Sequence, residues 1–467
     1  MLFSSVIFLW IFLPVVFIGS FILDRIAGNK AANVLLLVAS IFFYAWGEPV
    51  YVLLMLFSIA ANFIFGIIVA KSTGHKKIWL FASVLVNLAL IMYFKYAAML
   101  VGTVNTLFGV SFTIREIALP IGISFFTFQA MSYVIDVYRG ECEAQKNVFK
   151  LALYISFFPQ LIAGPIVKYK DIADQIDNRK RTSTQTALGI RRFVYGFAKK
   201  ILIANTLAEA ADALYQIGEA NLTGVISITA ALFYTFQIYY DFSGYSDMAI
   251  GLGKMFGFEF KENFLYPYTS LSVREFWRRW HVSLGSWFRD YVYIPLGGSR
   301  RGIRRTCINL LIVFFLTGLW HGASWSFVLW GLFHGTFLLI ERTPFGKFLD
   351  KHKAFGWVYT CLVAHVGWVF FRVEDIKTAV IHIIKMLLPW RYTTGMYSVW
   401  EFVNNRMVFT LVIAVLGMGV IQRLVPEKLA KKWKYSAVEI AFCTVLLVLC
   451  ISSLAANTYN PFIYFRF

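Results

Sequence analysis

Apolar residues in this chain come in long unbroken runs, not in the two-residue alternation of half-buried strands. About 20 apolar residues suffice to cross ~30 Å of hydrocarbon as a helix. On that measure spans are predicted at 2–23, 31–46, 50–70, 78–100, 118–137, 149–167, 222–252, 355–371, 408–425 and 436–454, with a longer run at 307–340. The stretch 187–211 has helical spacing but carries Arg191, Arg192, Lys199 and Lys200, which predicts a helix lying along the membrane interface. The opening run has neither a basic n-region nor a small-residue cleavage site, so it is expected to be a retained span.

Charge between the runs sets an orientation. Segment 71–77 holds three Lys and no acid, 168–200 nine basic and three acidic residues, 254–305 ten and four, and 426–435 four Lys and one Glu. An excess of Lys and Arg marks cytoplasmic loops. Counting crossings then produces a conflict. Four spans leave residue 101 outside, and two further crossings at 118–137 and 149–167 would put the basic Lys168 outside as well. One of these two segments is therefore expected to enter and return, with Pro120, Gly122, Pro159, Gly164 and Pro165 as its breakers. Broken backbone at membrane depth is tolerated only where it is buried in protein or lines a cavity.

Composition supports a membrane solvent. Of 467 residues, 59% are hydrophobic and only 15% charged, against roughly a quarter charged in soluble domains. The net charge of +19 would suggest nucleic acid in a soluble protein. Here it is read as cytoplasmic loops facing anionic lipid, and no nucleic-acid partner is expected. Five Cys, none in a C-x-x-C, signal neither a disulfide framework nor a metal site. The fold class expected is an all-α polytopic membrane protein with roughly 10–12 transmembrane or re-entrant helices plus interfacial ones. A single domain is drawn in three blocks: N-terminal helices 1–117, a core at 118–345 and C-terminal helices 346–467.

The candidate chemistry lies mostly in the core. Residues 306–340 contain no Asp, Glu, Lys or Arg, and as one helix would run about 52 Å, too long for one crossing. The natural break is Gly318-Leu319-Trp320-His321-Gly322-Ala323-Ser324-Trp325. It sets an imidazole deep in apolar sequence, where an ionisable group is costly and marks function by default. Desolvation would keep His321 neutral and able to accept a proton; the competing reading is a packing His. His334 and His365 are candidates of the same kind with weaker context. His281 follows Arg274, Trp277, Arg278, Arg279 and Trp280 on a basic amphipathic segment, read either as a lipid anchor or as a gate whose arginines attract a phosphorylated ligand. Asp241 and Asp247 end a long apolar run, where buried acids must be paired; they are candidates for orienting a His or binding substrate. The phosphate-loop and nucleophile-elbow patterns are missing.

Taken in order, Phe157-Phe158-Pro159-Gln160, Tyr240-Asp241-Phe242-Ser243-Gly244-Tyr245-Ser246-Asp247, Phe276-Trp277-Arg278-Arg279-Trp280-His281, Tyr293-Ile294-Pro295-Leu296-Gly297-Gly298, Gly318-Leu319-Trp320-His321-Gly322 and Tyr459-Asn460-Pro461-Phe462-Ile463-Tyr464-Phe465 together resemble the membrane-bound O-acyltransferase superfamily, in its bacterial alginate O-acetylation branch. The resemblance covers nearly the whole chain. It implies that His321 holds the catalytic His position, that His281 is the second family His on the cytoplasm-facing side, and that tilted helices surround a central funnel or tunnel. It also implies transfer of an acetyl group from a cytosolic thioester, acetyl-CoA as donor substrate and not as a bound cofactor, toward an extracytoplasmic polysaccharide, with a secreted or anchored accessory acetyltransferase as partner. The place would be a bacterial inner or plasma membrane. Arg278, Arg279, Arg289, Trp320, Ser324, Asp241 and Asp247 are the expected donor- or substrate-binding residues, and no metal is expected. D-alanyl transfer to teichoic acid from a carrier-protein thioester is the competing reading within the superfamily. A transporter or flippase without chemistry is the competitor from another class.

Overall fold

The computed structural model describes all residues except 116, 427–432, 434–435, 457–458 and 464–467. Most of the basic 426–435 segment and the last residues of the terminal motif lie outside the described residues. Among those described, every regular element is a helix. Six helices are long and apolar enough to cross a membrane: Phe8–Gly47, Val52–Lys71, Lys76–Phe108, Gly302–His321, Lys353–Arg372 and Ala437–Ala456, with shorter apolar helices at Trp325–Ile340 and Asn405–Val420. The chain is a multi-pass, all-α membrane protein. It forms two compact units, residues 1–193 with 248–261 and residues 194–247 with 262–467. All three boundaries fall inside the 118–345 block drawn from the sequence.

In the first unit, Phe8–Gly47 is a hairpin of two spans. Gly28 takes φ 74°, ψ −177°, a conformation open to glycine and costly for other residues. The chain folds back there: the ring of Phe12 meets that of Phe43 at 5.6 Å, and a Cβ on Gly19 would lie 2.9 Å from Leu35. The two spans expected at 2–23 and 31–46 are the arms of this hairpin.

The conflict over crossings resolves in the same unit. Ile123–Arg139 is a 17-residue helix with most of its residues buried. Segment 149–167 instead breaks at Phe157 into helices of nine and four residues, Val148–Ser156 and Phe158–Leu161, about 14 and 6 Å long. Its two ends lie side by side: Lys170 pairs with Glu141, the Gln145 amide donates to Tyr169 Oη at 2.7 Å, and the Tyr133 and Tyr169 rings meet at 5.1 Å. This segment turns back on itself, bringing the residues after Lys168 beside those around Glu141.

In the second unit the charge-free run folds as the expected break requires. Gly302–His321 and Trp325–Ile340 are joined by Gly322, Ala323 and Ser324. The helices approach so closely that a Cβ on Gly331 would lie 2.2 Å from the Phe314 carbonyl, and one on Gly318 2.3 Å from that of Phe327. Ser326 Oγ ties the hairpin to the next helix, donating toward the carbonyls of Phe370 at 2.5 Å and Val373 at 2.7 Å.

Two expectations are corrected here. Lys199 and Lys200 of the 187–211 stretch are engaged by acids within the protein. Lys199 bonds Asp247 at 2.6 Å, and Lys200, 3% exposed, pairs with Asp241, 2% exposed, at 2.5 Å. A buried pair persists when further hydrogen bonds satisfy both charges. The C-terminal segment supplies them, since Lys200 also donates to the Pro461 carbonyl and Asp241 accepts the Ile463 N–H at 3.0 Å. Second, the basic segment around His281 is not one surface helix. It breaks into Val273–Arg279 and Val282–Phe288, with Phe276, Trp280, Leu284 and Phe288 buried. Its apolar stripe packs into protein rather than lipid.

Close packing of the hairpin yields a direct test. Gly331→Leu is expected to destabilise the protein by at least the ~1–3 kcal/mol typical of overpacking, seen as a fall in detergent melting temperature and folded yield. Gly335→Ala, where the added Cβ would meet Phe314 Cβ at 3.2 Å, is expected to be milder. Equal stability of Gly331→Leu and wild type would contradict the described packing.

Candidate active site

The break at Trp280-His281 builds the site. His281 has φ 46° and ψ 53°, left-handed backbone that is uncommon for non-glycine residues and costs free energy unless the surroundings enforce it. Here the surroundings are explicit. Asn263 Oδ1 accepts the Ser283 backbone N–H at 3.2 Å and the Ser283 hydroxyl at 2.9 Å, and lies 3.1 Å from His281 Nδ1. Because a backbone N–H can only donate, that Asn263 atom is the oxygen, so Nδ1 of His281 must carry the hydrogen. Nε2 is left as an acceptor, buried and without a hydrogen-bond partner among the described residues. His281 lies outside the six long spans, and burial pushes its pKa down to about 3. The ring is neutral at physiological pH.

A cavity of about 630 Å³ opens onto this histidine, well within the range of small-molecule sites. Arg274, Arg278, Arg289 and Arg342 line it, while Trp277, Trp280, His281, Phe314 and Thr317 form its apolar part. Glu341 also lines the cavity and accepts the backbone N–H groups of Val273 at 2.5 Å and Arg274 at 3.0 Å, a carboxylate at a helix N-terminus. Burial raises its pKa, opposed by those two hydrogen bonds.

His321 stands at the end of the same wall. It is the last residue of Gly302–His321, 4% exposed. Thr317, one turn earlier, reaches the cavity. The Trp320 ring lies 5.8 Å from that of His281 and 4.9 Å from that of His321, so the indole contacts both imidazoles. Trp330 at 4.9 Å and Phe371 at 5.1 Å enclose His321 further. Both imidazoles are thus buried within one aromatic cluster.

The sequence candidates separate accordingly. His281, Arg278 and Arg289 line the cavity, and Trp320 and His321 adjoin it. Ser324 sits at the N-cap position of Trp325–Ile340, its hydroxyl without a hydrogen-bond partner among the described residues. Arg279 is engaged elsewhere, bonding Glu275 at 2.6 Å and Thr269 Oγ1 at 3.2 Å. Asp241 and Asp247 are held by the two lysines described above. His365 Nδ1 lies 2.9 Å from Thr235 Oγ1, and His334 is buried against Trp277 and Trp330. Among the described residues no group of three or more His, Cys, Asp or Glu could hold a metal ion. Sequence reasoning missed Asn263, Glu341, Arg342 and Trp330. No local pattern around them signals a role; each acquires one only through contacts distant in sequence.

Residues 144–371 match the sequence model of MBOAT, the membrane-bound O-acyltransferase family, and the chain belongs to that family. It is a membrane enzyme that transfers an acyl group to oxygen. Among its relatives, a probable alginate O-acetylase of Pseudomonas putida is 40% identical, over 100% of both chains. One of Pseudomonas aeruginosa is 43% identical over 90% of this chain and 81% of the relative. A peptidoglycan O-acetyltransferase of Helicobacter pylori is 35% identical over 81% of this chain and 78% of the relative. These relatives make this chain a membrane O-acetyltransferase.

Asn263 is a positioning residue whose loss should be visible. Asn263→Ala removes the acceptor that fixes the His281 tautomer and leaves buried donors unsatisfied, a cost of about 1–3 kcal/mol. Turnover is expected to fall at least tenfold, with activity shifting in pH dependence as the imidazole gains freedom. Unchanged turnover and an unchanged pH profile in a folded Asn263→Ala protein would contradict this role.

Proposed function

We propose that this enzyme takes an acetyl group from cytosolic acetyl-CoA and passes it across the membrane toward hydroxyls of an extracytoplasmic polysaccharide of the alginate or peptidoglycan kind, directly or through an accessory acetyltransferase. The membrane is the bacterial inner or plasma membrane. One observation carries the reading: an arginine-lined cavity, bordered by sequence with the cytoplasmic charge pattern, reaches His281, whose ring contacts Trp320, which in turn contacts His321. Arg278 and Arg289 suit the phosphates of the coenzyme, because guanidinium groups make strong charge-assisted bonds to phosphate oxygens.

In this reading the acetyl end of the donor lies at the cavity floor and the acceptor hydroxyl approaches from the His321 side. The thioester is already activated, so the protein supplies positioning, water exclusion and a base. His321 takes the hydroxyl proton as oxygen adds to the carbonyl carbon, then returns it to the departing thiolate. His281, with Nδ1–H held by Asn263, presents Nε2 to the donor.

The experiment is acetyl transfer by the full chain in membranes, measured beside protein level. His321→Ala and His321→Gln are both expected to lose activity by about 10²–10⁴-fold while remaining folded, because Gln can hydrogen-bond but cannot take up and release the proton. His334→Ala is expected to be milder. Arg278→Gln with Arg289→Gln is expected to raise the acetyl-CoA KM by roughly tenfold or more, each charged hydrogen bond being worth about 1.5–3 kcal/mol. Substantial transfer by folded His321→Ala would overturn the assignment of the base, and an unchanged KM in the arginine double variant that of the donor site.

A further inference from the structure

The acyl carbonyl needs a hydrogen-bond donor, since addition to a thioester drives negative charge onto its oxygen. The cavity wall holds one. Trp277 lines the cavity four residues before His281, and its indole Nε1 is buried with no hydrogen-bond partner among the described residues. An indole N–H can only donate, and leaving it unsatisfied in a buried site is costly. Native structures keep few such groups, and those that persist call for an explanation. The same wall carries His281 Nε2, also buried and unpartnered. A donor and an acceptor, neither with a hydrogen-bond partner among the described residues, thus belong to two residues that line one cavity on either side of Trp280.

We infer that Trp277 donates its indole N–H to the carbonyl oxygen of the bound acetyl thioester and is a catalytic residue of this enzyme. The inference rests on the donor reading of the cavity given above. Its ring is fixed by aromatic neighbours: Phe314 and Trp330 at 5.4 Å each and His334 at 5.0 Å. Trp330 in turn touches the His321 ring, so the proposed donor is one ring removed from the base. The step balances without a further reactant. The acceptor hydroxyl oxygen bonds to the carbonyl carbon, the C=O π pair moves onto oxygen beside the Trp277 N–H, and the hydroxyl proton goes to His321. Collapse restores C=O and breaks C–S, and the thiolate takes the proton from the imidazolium to give free coenzyme thiol and the acetyl ester. Because the oxygen carries most charge between these two events, the bond to Trp277 is strongest there, and it lowers the barrier more than it tightens ground-state binding.

The test is Trp277→Phe in the full-length enzyme, which keeps an aromatic ring, removes the N–H and reduces the side-chain volume by one fused ring. The expected result is a kcat lower by about 10²–10³-fold, the usual loss for one such donor, with the acetyl-CoA KM within about threefold of wild type and an unchanged melting temperature. A kcat near wild type, or a loss expressed wholly as higher KM, would overturn the role. A second measurement does not depend on that variant folding: [1-¹³C]acetyl-CoA bound to His321→Ala protein should show its carbonyl resonance downfield of the free thioester. A resonance unmoved on binding would overturn the proposal. If wild-type protein neither binds acetyl-CoA nor releases its thiol, the donor reading itself falls, which is a different failure from an active enzyme indifferent to Trp277→Phe.

Discussion

Gly331 lets one helix backbone rest against the Phe314 carbonyl, and Gly318 lets its partner rest against that of Phe327. This approach is possible only where no Cβ intervenes, and the site depends on it. The two arms are held so close that their connection needs only three residues, and His321 closes the first arm. Gly302–His321 carries that imidazole about 24 Å along its axis from Arg305, at 1.5 Å per residue. The helix thereby joins a basic edge at Arg304 and Arg305 to a buried imidazole at its other end.

Within each of its two units the protein solves one problem repeatedly, which is how to hold polar groups in a chain surrounded by lipid. Lys200 and Asp241 neutralise each other and are completed by backbone groups of the C-terminal segment. Asn62 and Asn87 exchange amide hydrogen bonds at 2.8 and 3.1 Å within the first unit. These groups are saturated and can do no chemistry. On the cavity wall His281 Nε2 and Trp277 Nε1 have no hydrogen-bond partner among the described residues, while Nδ1 of the same histidine is held by Asn263.

Much of this was legible in the sequence because lipid imposes strict rules. The length of apolar runs located the spans, loop charge showed that one apolar segment had to return, and the absence of charge over 306–340 exposed the break beside His321. What stayed hidden depended on distant contacts. The 187–211 segment reads as interfacial because its lysines have no local partners; Asp241 and Asp247 lie some 40–50 positions away. The stripe at Trp277, Trp280, Leu284 and Phe288 reads as one amphipathic helix because nothing local announces the reversal at His281. Asn263, which enforces it, lies 18 residues earlier. Trp277 stayed unremarkable for a similar reason, since its indole N–H becomes informative only once no hydrogen-bond partner for it is found among the described residues.

The central claim is that donor and acceptor meet from opposite sides of the membrane. It can be tested in sealed proteoliposomes containing protein of one orientation, with acetyl-CoA supplied on one side and a soluble polysaccharide acceptor on the other. Where an accessory acetyltransferase is required, it is placed with the acceptor. The account predicts acetyl ester formation only when acetyl-CoA is on the face exposing Arg278 and Arg289 and the acceptor is on the opposite face. Equally fast transfer with both substrates on a single face would contradict it.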